Sequence, residues 1–373
     1  MRVALLHPTY WPEVRRGSER LIHDLGVELA ARGHEVTILT SHRGAPRVAV
    51  EDGVRVVRDW RPPQRLPLSW YEDHVAHALP AWWRLQRGGF DVAHSFYAAD
   101  AWAALRARDR GGPPVVFSYH GIANRAYLVK RRYRLEMTAA AIAGADAVTA
   151  LSPPAAAPLE RYFGRQVEVL PGGVRVADFA AEPARAEAPI VVCAANLEDE
   201  RKRGDLLLRA FAAARARRPT ARLLLAGRRA PARGGLPAGV EHVDGDWTAA
   251  LARLFGNAWI SVLPAVDEAF GLVLLESLAA GTPVVATRSG AGPLIVDRTG
   301  IGELVEPDDP DALAAGLEHG LAAAPDAAVA AACRKRAAEL DWAVVAPRYE
   351  ELYERVLSRA EPARQRAARR AGP

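Results

Sequence analysis

Two rhythms of apolar and polar positions alternate along this chain. Short runs rich in β-branched residues are separated by Ala/Leu-rich stretches with a helical repeat. In the first half, Val3–Leu6, Val36–Thr40, Val54–Arg58, Val92–Ser95, Val115–Tyr119, Ala147–Ala150 and Val167–Leu170 are expected as strands. In the second half the expected strands are Ile190–Ala194, Arg222–Ala226, Val240–Val243, Ile260–Leu263, Val284–Thr287 and Glu303–Val305. The stretches between them read as helices. Ser18–Arg32, for example, sets Leu21, Leu25 and Leu29 on one face. Strand and helix in alternation predict βαβ units and parallel sheets, an α/β fold.

The rhythm restarts at Ile190, after the Pro/Ala/Glu-rich segment AEPARAEAP. Two doubly wound, Rossmann-like domains are therefore expected, over residues 1–175 and 190–340, with a linker over 176–189. Ligands of such sheets sit outside the carboxyl ends of the strands, and two such domains facing each other would form one cleft. After Asp341 the pattern predicts an amphipathic helix to residue 358, carrying Trp342, Val345, Tyr349, Leu352, Tyr353 and Leu357. It is expected as a strap across the domains.

Charge changes the picture only at the end of the chain. Net charge is +5, and residues 359–373 hold five arginines and one Glu, so the body is nearly neutral. That balance argues against a broad nucleic-acid footprint. The Arg/Ala-rich tail has little to pack and is expected to be disordered, serving solubility or touching an anionic membrane surface. The two cysteines, Cys193 and Cys333, give neither a disulfide framework nor a zinc spacing. The opening MRVALLHPTY is too short an apolar run for a signal peptide, and no long uncharged apolar stretch follows. A cytoplasmic protein is expected, with peripheral contact at the inner face of the membrane as its finer form.

The most specific chemistry lies in EAFGLVLLE, Glu268 to Glu276. A helix starting near Gly271 leaves Glu268 in the preceding loop and sets Glu276 on its second turn. The N–H groups between them are then free for an anion. This suits a ligand with hydroxyls at both ends and a diphosphate between, such as a sugar nucleotide. Gly17-Ser18-Glu19 offers a second helix start, with Ser18 as N-cap and Gly17 allowing close approach of backbone. His120 and Gly121 end the strand Val115–Tyr119, where an open sheet binds ligands. Arg201, Lys202 and Arg203 follow the first strand of the second domain and suit a diphosphate, Lys202 foremost. Gly227 and Gly245 lie at strand ends and would admit a nucleobase. Each also has a plain alternative: a surface cap, a structural histidine, a solvated basic loop, an ordinary turn.

Taken in order, these segments resemble the family 4 glycosyltransferases of the GT-B fold, from Met1 to about Leu357. The resemblance runs through the Gly-Ser-Glu turn, LAARGHEVTILT, the His-Gly turn, LPGGV at 170–174, the Lys-Gly loop, EAFGLVLLESLAAGTPVVAT and VEPDDPDALA. It implies transfer of a sugar from a nucleotide-diphosphate sugar with retention of configuration, and no required metal. By position, Glu276 would bind ribose hydroxyls and Glu268 donor-sugar hydroxyls. The N–H groups of Phe270, Gly271, Leu272 and Val273 would meet sugar and phosphates. Lys202 would neutralise the diphosphate, Gly17 would approach it, and His120 would contact the donor sugar near the reacting carbon. The leaving phosphate oxygen would accept the acceptor's proton, so no protein nucleophile is required.

Three positions depart from the family's pattern. Arg16 replaces the first of two glycines, and Leu294 follows Pro293 where a Glu is usual. Asn196 replaces an Arg among the donor-binding positions, leaving Arg201 or Arg203 to supply the cation. Acceptors are expected on the first domain. Trp60, Trp70, Tyr71, Trp82 and Trp83 would either pack in core and loops or stack on a carbohydrate, and RAYLVKRRYR at 125–134 would form a solvated helix face or meet a membrane surface or an anionic acceptor. Carbohydrate, lipid-linked and small-metabolite acceptors stay open, with cell-envelope or exopolysaccharide synthesis as the expected setting. A sugar phosphorylase of the same fold and a non-catalytic nucleotide-sugar binder are the alternatives. A dehydrogenase is disfavoured, because no G-x-G-x-x-G follows either opening strand.

Overall fold

The computed structural model describes residues 1–62, 75–181, 185–227, 235–245, 247–323 and 326–370. It contains two compact units: Met1–Pro171 with Val345–Pro373, and Gly172–Val344.

Unit 1 holds strands β1 (Arg2–Leu6), β2 (Glu35–His42), β3 (Arg47–Glu51), β4 (Val54–Trp60), β5 (Val92–Ser95), β6 (Val115–Tyr119), β7 (Ala147–Ala150) and β8 (Glu168–Val169). Its helices are α1 (Gly17–Ala31), α2 (Ala78–Arg87), α3 (Ala98–Arg108), α4 (Arg125–Val129), α5 (Arg132–Gly144) and α6 (Pro153–Phe163). The sheet order is β3-β4-β2-β1-β5-β6-β7-β8. Every pair is parallel except β3–β4. Near-continuous apolar runs such as Val3–Leu6 are fully buried, as strands covered on both faces must be.

Only β3 escaped the sequence reading. It is a half-exposed edge strand, Val48 and Val50 facing out, so it lacks the apolar run that marks its neighbours. The signal for it was the turn that closes the hairpin, where Asp52 and Gly53 both take positive φ, 49° and 80°.

Unit 2 holds β9 (Ile190–Cys193), β10 (Arg222–Ala226), β11 (Val240–Val243), β12 (Ile260–Leu263), β13 (Val284–Thr287) and β14 (Gly302–Val305). Its helices are α7 (Gly204–Arg217), α8 (Thr248–Asn257), α9 (Leu272–Ala279), α10 (Gly292–Ile295), α11 (Pro310–Ala323) and α12 (Ala327–Ala338). The all-parallel order β11-β10-β9-β12-β13-β14 is that of a doubly wound nucleotide-binding sheet. Both α/β sheets thus match the expected fold class.

The boundaries differ from the expected ones. The described residues of the expected linker, 176–181 and 185–189, are part of unit 2. Phe179 is buried, and the Ala186 N–H donates to Asn257 at 3.1 Å. Arg185 donates to Gly281 C=O at 2.6 Å and to Thr282 Oγ1 at 2.7 Å. A Pro/Ala/Glu-rich composition hid these tertiary bonds.

The last helix, α13 (Trp342–Arg370), is longer than expected. Residues 359–370, read as disordered, continue it, consistent with the helix propensity of Ala and Arg. From Val345 onward it belongs to unit 1, where Tyr349 donates to Pro171 C=O at 3.1 Å and Glu350 pairs with Arg32 and His34. Cys193 and Cys333 are buried free thiols, and burial pushes both up to about 12. Among the described residues no helix is long and apolar enough to cross a membrane.

Candidate functional site

In unit 2 the strand order reverses between β9 and β12, and the crevice at such a point is where this architecture takes ligands. The loops leaving these two strands carry Lys202 and Glu268. The Val266 N–H donates to Arg201 C=O at 2.9 Å, tying one loop to the other. Lys202 Nζ then reaches Glu268 Oε2 at 2.5 Å, with both side chains about one-fifth exposed, at 20% and 19%.

Glu268 has a second role. Its Oε1 accepts from the N–H of Gly271 at 3.1 Å and, more weakly, Phe270 at 3.5 Å, so it caps the start of α9. Burial alone would raise its carboxyl, but the Lys202 ammonium and the two N–H groups outweigh burial and hold it below the ordinary glutamate value. It is an anion in the folded protein.

The backbone at Glu268 is pinned by a loop that sequence reasoning missed. The Ala291 N–H donates to Glu268 C=O at 2.8 Å, and the Asp267 N–H donates to Ser289 Oγ at 3.1 Å. Gly290 lies so close that a Cβ there would stand 2.3 Å from the Glu268 carbonyl oxygen, and its φ is +54°. The signal was present as Ser-Gly-Ala-Gly at 289–292, one residue after β13.

The other expected donor ligands are placed less simply. The N–H groups of Phe270 and Gly271, expected to be free for an anion, already donate to Glu268. Those of Leu272 and Val273 open α9 and have no acceptor within the helix. Gly271 takes φ +85°, the turn that lets α9 begin there. Glu276 lies on the second turn of α9 as expected, but at 1% exposure it is enclosed rather than presented on an open wall.

The basic loop is not three unengaged cations. Arg201 pairs with Asp199 at 2.6 Å and Arg203 with Asp308 at 2.6 Å, leaving Lys202 as the one aimed at Glu268. The Asn196 Oδ1 accepts from the Glu198 N–H at 3.2 Å and shapes the loop. Gly227 follows β10 with open space where a side chain would be, while a Cβ at Gly245 would meet Leu254 at 2.8 Å. Gly245 is therefore explained by the packing of α8. Leu294, at the family-divergent position, is 38% exposed on α10.

In unit 1 the reversal falls between β1 and β5. Helix α1 starts at Gly17, one residue before the expected cap. Arg16 occupies the N-cap without a side-chain bond, so Ser18 is already helical. A Cβ at Gly17 would meet nothing within 4 Å, so protein packing does not demand the glycine. Glu19 is buried, and its Oε1 accepts from Thr9 Oγ1 at 2.7 Å.

His120 follows β6 and packs its ring 4.9 Å from Phe96. Its Nδ1 is buried with no hydrogen-bond partner among the described residues. Burial, helped by the nearby His7 imidazole, lowers it to about 3, so it is neutral. Beneath it, His94 is fully buried, bonded to Tyr353 Oη at 2.7 Å and Ser118 Oγ at 2.6 Å.

Of the aromatic segment, Trp60 and Trp83 are exposed, while Trp70 and Tyr71 lie outside the described residues. The Trp83 ring carries the guanidinium of Arg87 at 4.5 Å and that of Arg84 at 5.3 Å. In 125–134, Tyr127, Val129 and Tyr133 are exposed, and Arg134 lies over Tyr127 at 3.7 Å.

Comparison with known proteins extends these observations. Residues 15–178 match the model of Glycosyltransferase Family 4, and residues 188–322 match that of Glycosyl transferases group 1. A D-inositol 3-phosphate glycosyltransferase of Arthrobacter sp. is 30% identical over 313 residues, 74% of each chain. A phosphatidyl-myo-inositol mannosyltransferase of Propionibacterium freudenreichii is 25% identical over 373 residues, covering 95% of this chain and 94% of the relative. Among solved structures, sucrose-phosphate synthase from Thermosynechococcus elongatus superposes with a TM-score of 0.79 at 24% identity, over 96% of this chain and 99% of its own. Anabaena HepE in complex with UDP and glucose gives 0.71 at 18% identity, over 95% and 99%. The likeness to these two structures is one of fold.

Proposed function

The chain belongs to glycosyltransferase family 4, and from that premise we propose that it transfers a glycosyl group from a nucleoside-diphosphate sugar to a hydroxyl acceptor with retention of configuration. The observation that carries this reading is the Lys202–Glu268 pair at the start of α9, on loops that leave the two strands where the sheet order reverses.

Each member has a defined task. A carboxylate already held as an anion accepts hydrogen bonds from sugar hydroxyls, and it is oriented because the Gly271 N–H and Lys202 fix it from two sides. Lys202 turns part of its charge to the diphosphate. The N–H groups of Leu272 and Val273 add donors at the positive end of the helix. As the glycosidic bond breaks, negative charge grows on the β-phosphate, and donors fixed in advance favour that state over the ground state. In this reading Lys202 and the helix start carry that charge without a divalent cation. The departing phosphate oxygen receives the proton of the attacking hydroxyl.

UDP accompanies one structural neighbour, and inositol phosphate or phosphatidylinositol is named for the relatives. An inositol-type polyol is therefore the first acceptor to try. A thermal-shift panel of UDP-, GDP- and ADP-sugars tests the donor. One of them at about 100 times its dissociation constant should stabilise the protein by ~2.7 kcal/mol, and a panel with no response removes the reading.

The finer proposal of membrane contact is supported by exposed Tyr127, Val129 and Tyr133 among the cations of residues 125–134. Sedimentation with anionic liposomes should fall when Tyr127 and Tyr133 are replaced by Ser. Equal sedimentation would remove this part alone.

A further inference from the structure

We propose that His7, which no family motif singled out, is a substrate-contacting residue whose Nε2 accepts a hydrogen bond from a sugar or acceptor hydroxyl. The inference rests on the transferase reading above.

His7 directly follows β1, at the point where the sheet order of unit 1 reverses. The Phe96 N–H donates to Leu6 C=O at 3.0 Å, so the carboxyl ends of β1 and β5 meet beside it. On the same edge His120 stands two strands further along, after β6, with Phe96 packed against it and Tyr97 edge-on to His7 at 6.1 Å. The position is the one an open α/β sheet reserves for ligands.

The tautomer of His7 follows from its neighbours. Its Nδ1 lies 2.7 Å from Thr9 C=O. A carbonyl only accepts, so the proton sits on Nδ1. The Thr9 N–H also approaches the same nitrogen, at 3.4 Å, a weaker contact than the 2.7 Å one to the Thr9 carbonyl. The Thr9 hydroxyl, 3.3 Å away, has its own proton committed to Glu19 Oε1 at 2.7 Å, so it offers Nδ1 only an acceptor. Glu19 is buried at 1% exposure and holds Thr9 in that orientation. In a neutral ring with Nδ1–H, Nε2 carries a lone pair, and it has no hydrogen-bond partner among the described residues. The chain Glu19–Thr9–His7 therefore presents one hydrogen-bond acceptor at the carboxyl edge. Neutral imidazole suits a hydroxyl and offers nothing to a phosphate oxygen, which is itself an acceptor.

Two variants separate this role from packing. His7→Asn keeps an N–H at the Nδ1 position for Thr9 and deletes Nε2. His7→Gln restores a polar group near Nε2. ¹⁵N NMR of the wild-type protein should show His7 with a protonated Nδ1 and an unprotonated Nε2, a result that needs no ligand; the opposite tautomer overturns the proposal.

With the donor found by the UDP-, GDP- and ADP-sugar panel, His7→Asn should bind the free nucleoside diphosphate like wild type. It should lose between about 3-fold and 10-fold elsewhere, the range expected for one neutral hydrogen bond. A loss in nucleotide-sugar affinity identifies the donor sugar as the source of the hydroxyl. A rise in KM for a D-inositol 3-phosphate acceptor with unchanged donor affinity identifies the acceptor. Partial recovery in His7→Gln supports the contact. Donor affinity and acceptor KM both within twofold of wild type overturn it. A wild-type protein that answers no donor defeats the transferase reading instead, and the NMR result still stands or falls separately.

Discussion

The carboxyl edges of the two sheets are built from opposite materials. In unit 2 the edge is charged and internally satisfied: Lys202 against Glu268, Arg201 against Asp199, Arg203 against Asp308. In unit 1 it is aromatic, with His120 kept neutral by burial, Phe96 packed on His120, Tyr97 edge-on to His7, and the Nδ1 of His120 without a partner among the described residues. Two edges with the same topology thus suit different chemistry. Charged pairs exchange partners with a phosphate and a sugar hydroxyl at little net desolvation. Neutral imidazoles offer directional bonds to hydroxyls without attracting anions.

The comparison breaks most sharply at Glu268. Glu268→Ala removes a hydroxyl acceptor, a partner of Lys202 and the cap of α9 together. Transfer should fall by roughly 10²–10³ or more while circular dichroism stays native. Near-normal turnover would end the assignment of this edge to the donor. Gly290→Ala comes next. Its methyl must displace the Glu268 backbone, and a shift of about 1 Å can cost roughly 10² in rate. Wild-type kinetics in this variant would mean that Glu268 needs no such placement. Lys202→Ala should weaken nucleoside-diphosphate binding by about 10-fold to 100-fold, the range for a hydrogen bond to a charged group. Unchanged affinity by calorimetry would pass the role to Arg201 or Arg203.

Acid should separate the edges by a smaller margin. His120 is depressed to about 3, so its contribution to stability is complete above the unfolded imidazole value near 6.5 and is lost as pH falls from there toward 3. His94, lowered by its own burial and by His120, acts in the same direction. The Glu268 carboxyl is also lowered, but from a glutamate value near 4.3, so its contribution survives until the pH falls below that. Between about pH 6 and 5, hydrogen exchange should therefore accelerate at β6 before it does at the start of α9. Simultaneous loss of protection would contradict the distinction.

Much of this was legible in the sequence, for physical reasons that also mark where it stopped. Buried parallel strands such as Val3–Leu6 and Ile190–Cys193 announce themselves as unbroken apolar runs. The antiparallel edge β3 does not, because three of its five residues are exposed and none is buried. Glu268 and Lys202 were readable as separate ligands. Their ion pair, 66 residues apart in the chain, was not, since only the β9–β12 adjacency brings them together. Arg201 and Arg203 looked equivalent to Lys202 until Asp199 and Asp308 were seen to hold them. His7 sat unnoticed in HPTYWP, although the rule that selected His120, a histidine at a strand's carboxyl end, applied to it equally. The segment 176–189 was misjudged by composition, because the bonds of Arg185 and Ala186 reach residues far along the chain.

The central claim is that Glu268 reads sugar hydroxyls while Lys202 and the start of α9 hold the diphosphate. Calorimetry on Glu268→Gln addresses it directly, since this variant keeps the side chain's size and removes its charge. Binding of the free nucleoside diphosphate should remain, and the added affinity given by the attached sugar should disappear. Retention of the full sugar-dependent increment, together with unaltered turnover, would contradict the account.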